Sequence, residues 1–182
     1  MKHRQASQSI RFVHMTTEKQ LDLVLAKRLQ DDEKFRAWLL SKTLKGALYS
    51  RLVVLRADNP WGRVRTILPN PATGALEVVV REAETDVLAV FEGASGRRLA
   101  LHIENKLAGG RFTPYQPEMY ATRAEAWRMV EKYGNYDEWE TILIAPLSFK
   151  ARNEDDARKF MSFIPHEELA EYEPAFGAAS DT

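Results

Sequence analysis

The chain has 182 residues, 45% of them hydrophobic, no cysteine, and 26 basic against 26 acidic side chains. That length supports one well-packed domain and not two ordinary ones, and without cysteine neither a disulfide framework nor a thiolate metal site can form. No apolar run approaches the roughly 20 residues that span a bilayer, and the opening MKHRQASQSIRF lacks the apolar centre of a signal peptide, so a soluble cytoplasmic protein with no membrane partner is expected.

Residues 1–15 read as a basic arm carrying Lys2, Arg4 and Arg11. Thr17-Glu-Lys-Gln is a capping-box pattern, and Leu21, Val24, Leu25 and Leu29 follow at helical spacing, so a helix starts here. Asp31 can cap a second helix running to about Thr43, with Phe35, Trp38 and Leu39 on its buried side. Short strands are expected over Arg51–Arg56, Arg63–Leu68 and Ala75–Arg81, separated by a turn at Asn59-Pro60-Trp61-Gly62 and a loop from Pro69 to Gly74. Asp86 then opens the apolar run VLAVF, whose uniform apolarity suits a central strand covered on both faces, and LALHI after Gly93-Ala94-Ser95-Gly96 reads as its hairpin partner. Pro114 and Pro117 fit only a first turn, which puts a helix start near Thr113 and carries that helix past Trp127 towards Gly134. A strand over Glu140–Leu147, a helix from about Glu154 to Phe163 and a short helix over His166–Tyr172 complete the reading. The domain therefore runs 16–173, and 174–182 is expected to be a flexible tail.

The chemistry is concentrated between Glu84 and Tyr120. Alternation along a strand projects Glu104 and Lys106 from one face, and helical spacing stacks Gln116 on Tyr120. With the two apolar strands paired, the Asp86 and Glu104 carboxylates can share a divalent cation, and two hard oxygen ligands suit magnesium. With 17 Glu and 10 Lys in 182 residues, chance supplies about one Glu-x-Lys, and Asp32-Glu33-Lys34 is a decoy of the equivalent Asp-x-Lys form. Glu104-Asn105-Lys106 differs because it ends an apolar strand, follows a strand headed by an acid, and precedes the chain's single Gln-x-x-x-Tyr.

The order Asp86, Glu104-x-Lys106, Gln116-x-x-x-Tyr120 resembles the PD-(D/E)XK nuclease superfamily, in its branch with the RecB-type Gln-x-x-x-Tyr motif. The resemblance is close over the middle third and extends to the flanks in outline. Thr85 stands where the name-giving proline would be, and Glu104 replaces the aspartate usual in RecB-type members. The resemblance implies an α/β, restriction-endonuclease-like αβββαβ core with a central mixed sheet flanked by helices, plus extra N- and C-terminal helices. It implies Asp86, Glu104 and Lys106 as catalytic residues. Asp86, Glu104 and the Asn105 carbonyl would hold Mg2+, with Mn2+ able to substitute, and Gln116, Tyr120 and Arg123 would meet the substrate. The family often adds an acid from its first helix, for which Glu18 and Glu33 both qualify.

The expected activity is metal-dependent hydrolysis of nucleic acid, DNA before RNA, in repair, recombination or defence, with a homodimer admitted as an assembly. The alternative is a nuclease-like module that binds nucleic acid, or regulates, without cutting. Residues 1–65 hold 14 Lys+Arg against 6 Asp+Glu, and the remainder 12 against 20. Such polarity can set a cationic approach face, drawn from Lys42, Lys45, Arg63 and Arg65, beside an acidic pocket. Each residue also has a plainer reading: Asp86 as a turn acid, Glu104 and Lys106 as a strand-end ion pair, Gln116 with Tyr120 as a helix-surface pair, Arg123 as a solvated cation, and His102 as a hydrogen-bonded core histidine.

Overall fold

The computed structural model describes residues 17–70 and 72–180, so the expected basic arm lies outside the described residues. Helix α1 (Glu18–Asp31) starts where Thr17 accepts the Gln20 amide and the Gln20 side chain accepts the Thr17 amide in return. Its Leu21, Leu25 and Leu29 form a fully buried stripe. Asp32, one residue after the expected cap, accepts from the Phe35 amide and starts α2 (Glu33–Ser41), which buries Phe35, Leu39 and Leu40.

Strands β1 (Tyr49–Arg56), β2 (Trp61–Pro69), β3 (Leu76–Glu84), β4 (Val87–Gly93) and β5 (Arg98–Asn105) follow, then α3 (Gln116–Trp127) and β6 (Glu138–Ala145). The chain ends with α4 (Leu147–Arg152), α5 (Glu154–Ala157), β7 (Ser162–Pro165), α6 (His166–Leu169) and α7 (Pro174–Ser180). The main sheet has the order β1-β4-β5-β6-β7, antiparallel over its first two pairings and parallel over its last two. The parallel steps need crossovers, which α3 and the α4–α5 segment supply.

Alternation divides β4 and β5 between two layers. Val87, Ala89, Phe91, Leu99, Leu101 and Ile103 pack against α1 and α2, whereas Leu88, Val90 and Ala100 meet Trp127, Tyr133 and Tyr136 on the other face. Burial of each large apolar side chain is worth roughly 1.5–3 kcal/mol, so these two strands carry much of the stability. The result is a mixed α/β fold with a central mixed sheet flanked by helices. Among the described residues no helix is long and apolar enough to cross a membrane.

Helix α3 ends at Trp127 instead of running on towards Gly134, Leu147 begins α4 instead of ending a strand, and three further stretches differ from the sequence reading. The expected helix from Glu154 to Phe163 breaks after Ala157, and Ser162–Pro165 instead forms β7, parallel to Ile142–Ala145. Four residues are too few for strand alternation to outweigh the apolar spacing of Phe160 and Phe163. The expected tail is helical through Ser180, with Phe176 and Ala179 fully buried in the main core. Finally, β2 and β3 pair only with each other, from Trp61 opposite Glu84 to Pro69 opposite Leu76. This hairpin buries Val64 and Ala83 against Met119 of α3 and exposes Trp61, Ile67, Leu76, Val78 and Val80.

Candidate active site

Asp86 stands just before β4. Because Val87 lies opposite Ile103, Asp86 falls beside Glu104 at one end of the β4–β5 pair. Its Oδ2 accepts the Asn105 amide at 2.9 Å and its Oδ1 accepts Asn59 Nδ2 at 3.4 Å. The Thr85 amide donates to the Pro60 carbonyl at 3.0 Å, which anchors this turn to the base of the hairpin.

Glu104 is 1% exposed and faces α3. Its Oε1 accepts Gln116 Nε2 at 2.6 Å and meets Lys106 Nζ at 2.6 Å, and its Oε2 accepts the Tyr120 hydroxyl. The Thr113 amide donates to Gln116 Oε1 at 3.0 Å, which fixes the amide so that its NH2 end points at Glu104. Residues four apart on the first turns of α3 therefore converge on one carboxylate, as helical spacing requires.

Lys106 leaves β5 with its amide donated to the Ile144 carbonyl at 2.9 Å. Its ammonium sits between Glu104 and Glu18, whose Oε2 is 3.6 Å away. Glu18 also accepts the Leu107 amide at 3.2 Å. Of the two candidate acids, Glu18 is the one that lies beside Lys106. Glu33 begins α2 and lines a separate cleft bounded by β1. Burial lowers the affinity of Lys106 for its proton, but Glu104, Glu18 and Asp86 outweigh it and hold the pKa above the ordinary lysine value. Lys106 is an ammonium at neutral pH.

Asp22, one helical turn after Glu18, also belongs here although the sequence reading passed it over. It is 1% exposed and accepts Asn105 Nδ2 at 2.6 Å. The signal was present: an acid beside Leu21 on the leucine face of α1, four residues from Glu18, where a solvated charge has no place. Burial raises its pKa to about 6, with Glu104 and Glu18 adding to the rise. Burial, then Glu104 and Asp22, push Asp86 up to about 9. Carboxylates crowded in this way hold protons unless a cation relieves them.

Asn105 faces the opposite layer from Glu104, towards Asp22, and its Oδ1 is buried with no hydrogen-bond partner. Tyr120 is 1% exposed, and its hydroxyl turns to Glu104 rather than to solvent, so it orients the carboxylate. Arg123 is buried as well, unlike the solvated cation of its plainer reading. Its guanidinium lies 4.0 Å over the Tyr120 ring and donates Nε to Thr85 at 2.7 Å. Thr85 then donates to His102 Nδ1 at 3.2 Å, His102 Nε2–H donates to the Tyr136 hydroxyl at 3.1 Å, and that hydroxyl donates to the Ala124 carbonyl. Burial lowers the His102 pKa well below the usual range, so the ring is neutral and the chain of bonds runs one way. His102 is the hydrogen-bonded core histidine of the plainer reading.

The residues present suit a hard cation. Asp86 and Glu104 are adjacent carboxylates, and burial together with the Glu104 charge raises the proton affinity of Asp86. As they stand, among the described residues, no three acids or histidines form a ligating cluster. Both Glu104 oxygens already accept from Gln116, Lys106 and Tyr120. No family model, curated protein or solved structure matches the chain.

Proposed function

We propose that this chain is a metal-dependent nuclease that hydrolyses phosphodiester bonds, DNA in preference to RNA, on a restriction-endonuclease-like core. The observation that carries the reading is the convergence of Gln116, Tyr120 and Lys106 on the buried Glu104, beside Asp86. A solvated strand-end ion pair needs neither burial nor two helical donors. The order of elements also supports it: α1, then β1, β4 and β5 antiparallel, then α3, then β6 parallel to β5, an αβββαβ sequence with the β2–β3 hairpin inserted.

Asp86 and Glu104 would hold Mg2+ or Mn2+, which when bound lowers the pKa of water and offsets charge on the phosphate. Gln116 and Tyr120 fix the Glu104 carboxylate. Lys106, kept protonated by its acidic neighbours, donates to the attacking water or to a phosphate oxygen and does not serve as the base. Glu18 holds the ammonium from its other side.

A second reading, a nucleic-acid-binding or regulatory module that does not cut, draws on the 2.6 Å Lys106–Glu104 pair, which neutralises the centre. One set of assays separates them. Linear, circular and single-stranded DNA and RNA are incubated with magnesium, manganese or chelator. The nuclease reading expects metal-dependent cleavage that Glu104→Gln lowers by about 100-fold or more with the fold intact. Lys106→Ala should reduce the rate similarly while binding in calcium changes little. Lys106→Arg, which keeps charge and loses the compact ammonium, should be slow as well. If Lys106→Arg cuts at the parent rate, the role given to Lys106 is wrong. A parent that binds but never cleaves, with Lys106→Ala costing only modest affinity, establishes the module instead.

A further inference from the structure

The chemistry above leaves unused a cleft between the β2–β3 hairpin and the first half of α3. It encloses about 310 Å³, at the small end of ligand pockets, and reaches Gln116, the residue that holds Glu104. Ala83 and Met119 give it an apolar wall, and Trp61, 60% exposed on the outer face of the hairpin, stands at its rim. Arg123 contributes to the lining from beneath. It is 1% exposed, and its buried Nη2 has no hydrogen-bond partner among the described residues. A buried donor left unpaired is unfavourable unless something brings it an acceptor.

The cleft is preformed. Tyr133 donates to the Trp61 carbonyl at 2.7 Å at the base of the hairpin, Tyr115 donates to the Pro69 carbonyl at 3.1 Å near its tip, and Arg81 donates to the Pro114 carbonyl at 3.3 Å between them.

We propose that this cleft receives one unpaired nucleobase of the substrate strand, next to the phosphate that reacts. The inference rests on the nuclease reading and narrows its substrate to single-stranded or frayed nucleic acid. The lining favours a base over a phosphate, because Glu82 and Glu84 offset Arg81 and Arg123 and leave no net positive charge. An exposed indole offers a stacking face, the exposed Arg81 guanidinium a donor for a ring nitrogen or carbonyl, and the two glutamates acceptors for an exocyclic amine. A base inside a duplex has both faces stacked and its pairing edge occupied, so only an unpaired one can make these contacts.

The test measures binding of the full chain in calcium to a short labelled single strand and to the blunt duplex of the same sequence. The single strand is expected to bind more tightly. Trp61→Ala, a change at an exposed position, should weaken single-strand binding by about tenfold, within the range of one lost base–aromatic stack, and leave duplex binding unchanged. Ala83→Phe, which fills the cleft, should give the same signature. Equal losses on both substrates, or no loss on either, overturn the proposal. Free deoxyadenosine monophosphate competing as well as the strand does would make this a mononucleotide site and also overturn it. Cleavage of the same substrates in magnesium keeps the two ideas apart. Trp61-dependent strand binding by a parent that never cleaves removes the nuclease and keeps the base site. Duplex cleavage as fast as single-strand cleavage, untouched by Trp61→Ala, removes the base site and keeps the nuclease.

Discussion

Burying Asp86 beside Glu104 and Asp22 destabilises the folded chain whenever Asp86 is ionised. Its carboxyl titrates near 3.8 in an unfolded chain and at about 9 when folded, so the folded form binds the extra proton and stability is lost as pH rises between those values. Asp86→Asn removes the charge and keeps one oxygen for the Asn105 amide, with its NH2 turned to the longer, 3.4 Å contact with Asn59. In chelator at pH 8 the variant should be more stable than the parent by on the order of 1–2 kcal/mol, with the advantage fading towards pH 4, while cleavage is abolished. Thermal melts across that pH range check it, and a variant less stable than the parent at pH 8 would show that Asp86 is a structural acid. At this scale the neighbouring Asp86 and Glu104 carboxylates and the lysine were legible in the sequence, because alternation and the preceding apolar strand specify them. The burial of Tyr120 and Arg123 was not. Helical spacing says which residues share a face, but what covers that face depends on Phe160 and Thr85, remote in the chain and outside the helix.

Among the elements, α7 departs most from its sequence reading. PAFGAAS is short and rich in small residues, with no stripe long enough to register as amphipathic. Its Phe176 nevertheless enters the core that α1 and α2 form on the sheet, 5.1 Å edge-on to the buried His166 ring. Phe176→Ala is therefore expected to destabilise the domain by about 3–5 kcal/mol, read as a lower denaturant midpoint with an unchanged slope. A mobile tail would give no change. The hairpin shows the converse case. Both of its strands were expected from β-branched composition, but composition carries no information about partners, and only the register shows that β2 and β3 stand apart from the main sheet.

At the scale of the molecule, the uneven charge resolves into positions. Glu104 and Asn105 pair with Leu143 and Ile144 at one end of the β5–β6 ladder, and Leu99 pairs with Glu138 at the other. Lys45 belongs to that far end, its amide donated to Glu140 and its ammonium 3.9 Å from Glu138, and Lys42 is already paired with Glu168 at 2.5 Å. Arg63 and Arg65 stand on the exposed face of the hairpin whose base adjoins Asp86. Of the two pairs, only the arginines can serve the candidate site. Neutralising Arg63 and Arg65 should reduce the dependence of log affinity on log salt by about 1–2, whereas neutralising Lys42 and Lys45 should leave it unchanged. The reverse result would move the nucleic-acid path to the other end of the sheet.

What the sequence determined by itself was local. The capping box at Thr17, the leucine stripe of α1, the apolar strands β4 and β5 with the turn between them, and the pairing of Glu104 with Lys106 and of Gln116 with Tyr120 follow from periodicities of two and about four residues, which any window of the chain contains. The tertiary structure decided everything that depends on elements distant in sequence. It put Glu18 and not Glu33 beside Lys106, because only the first turn of α1 passes the end of β5. It added Asp22, drawn into the core by Asn105, 83 residues away. It closed Arg123 beneath a cleft whose other wall comes from β2 and β3. Contacts of that kind are set by how layers stack on the sheet, and no periodicity along the chain encodes which layers meet.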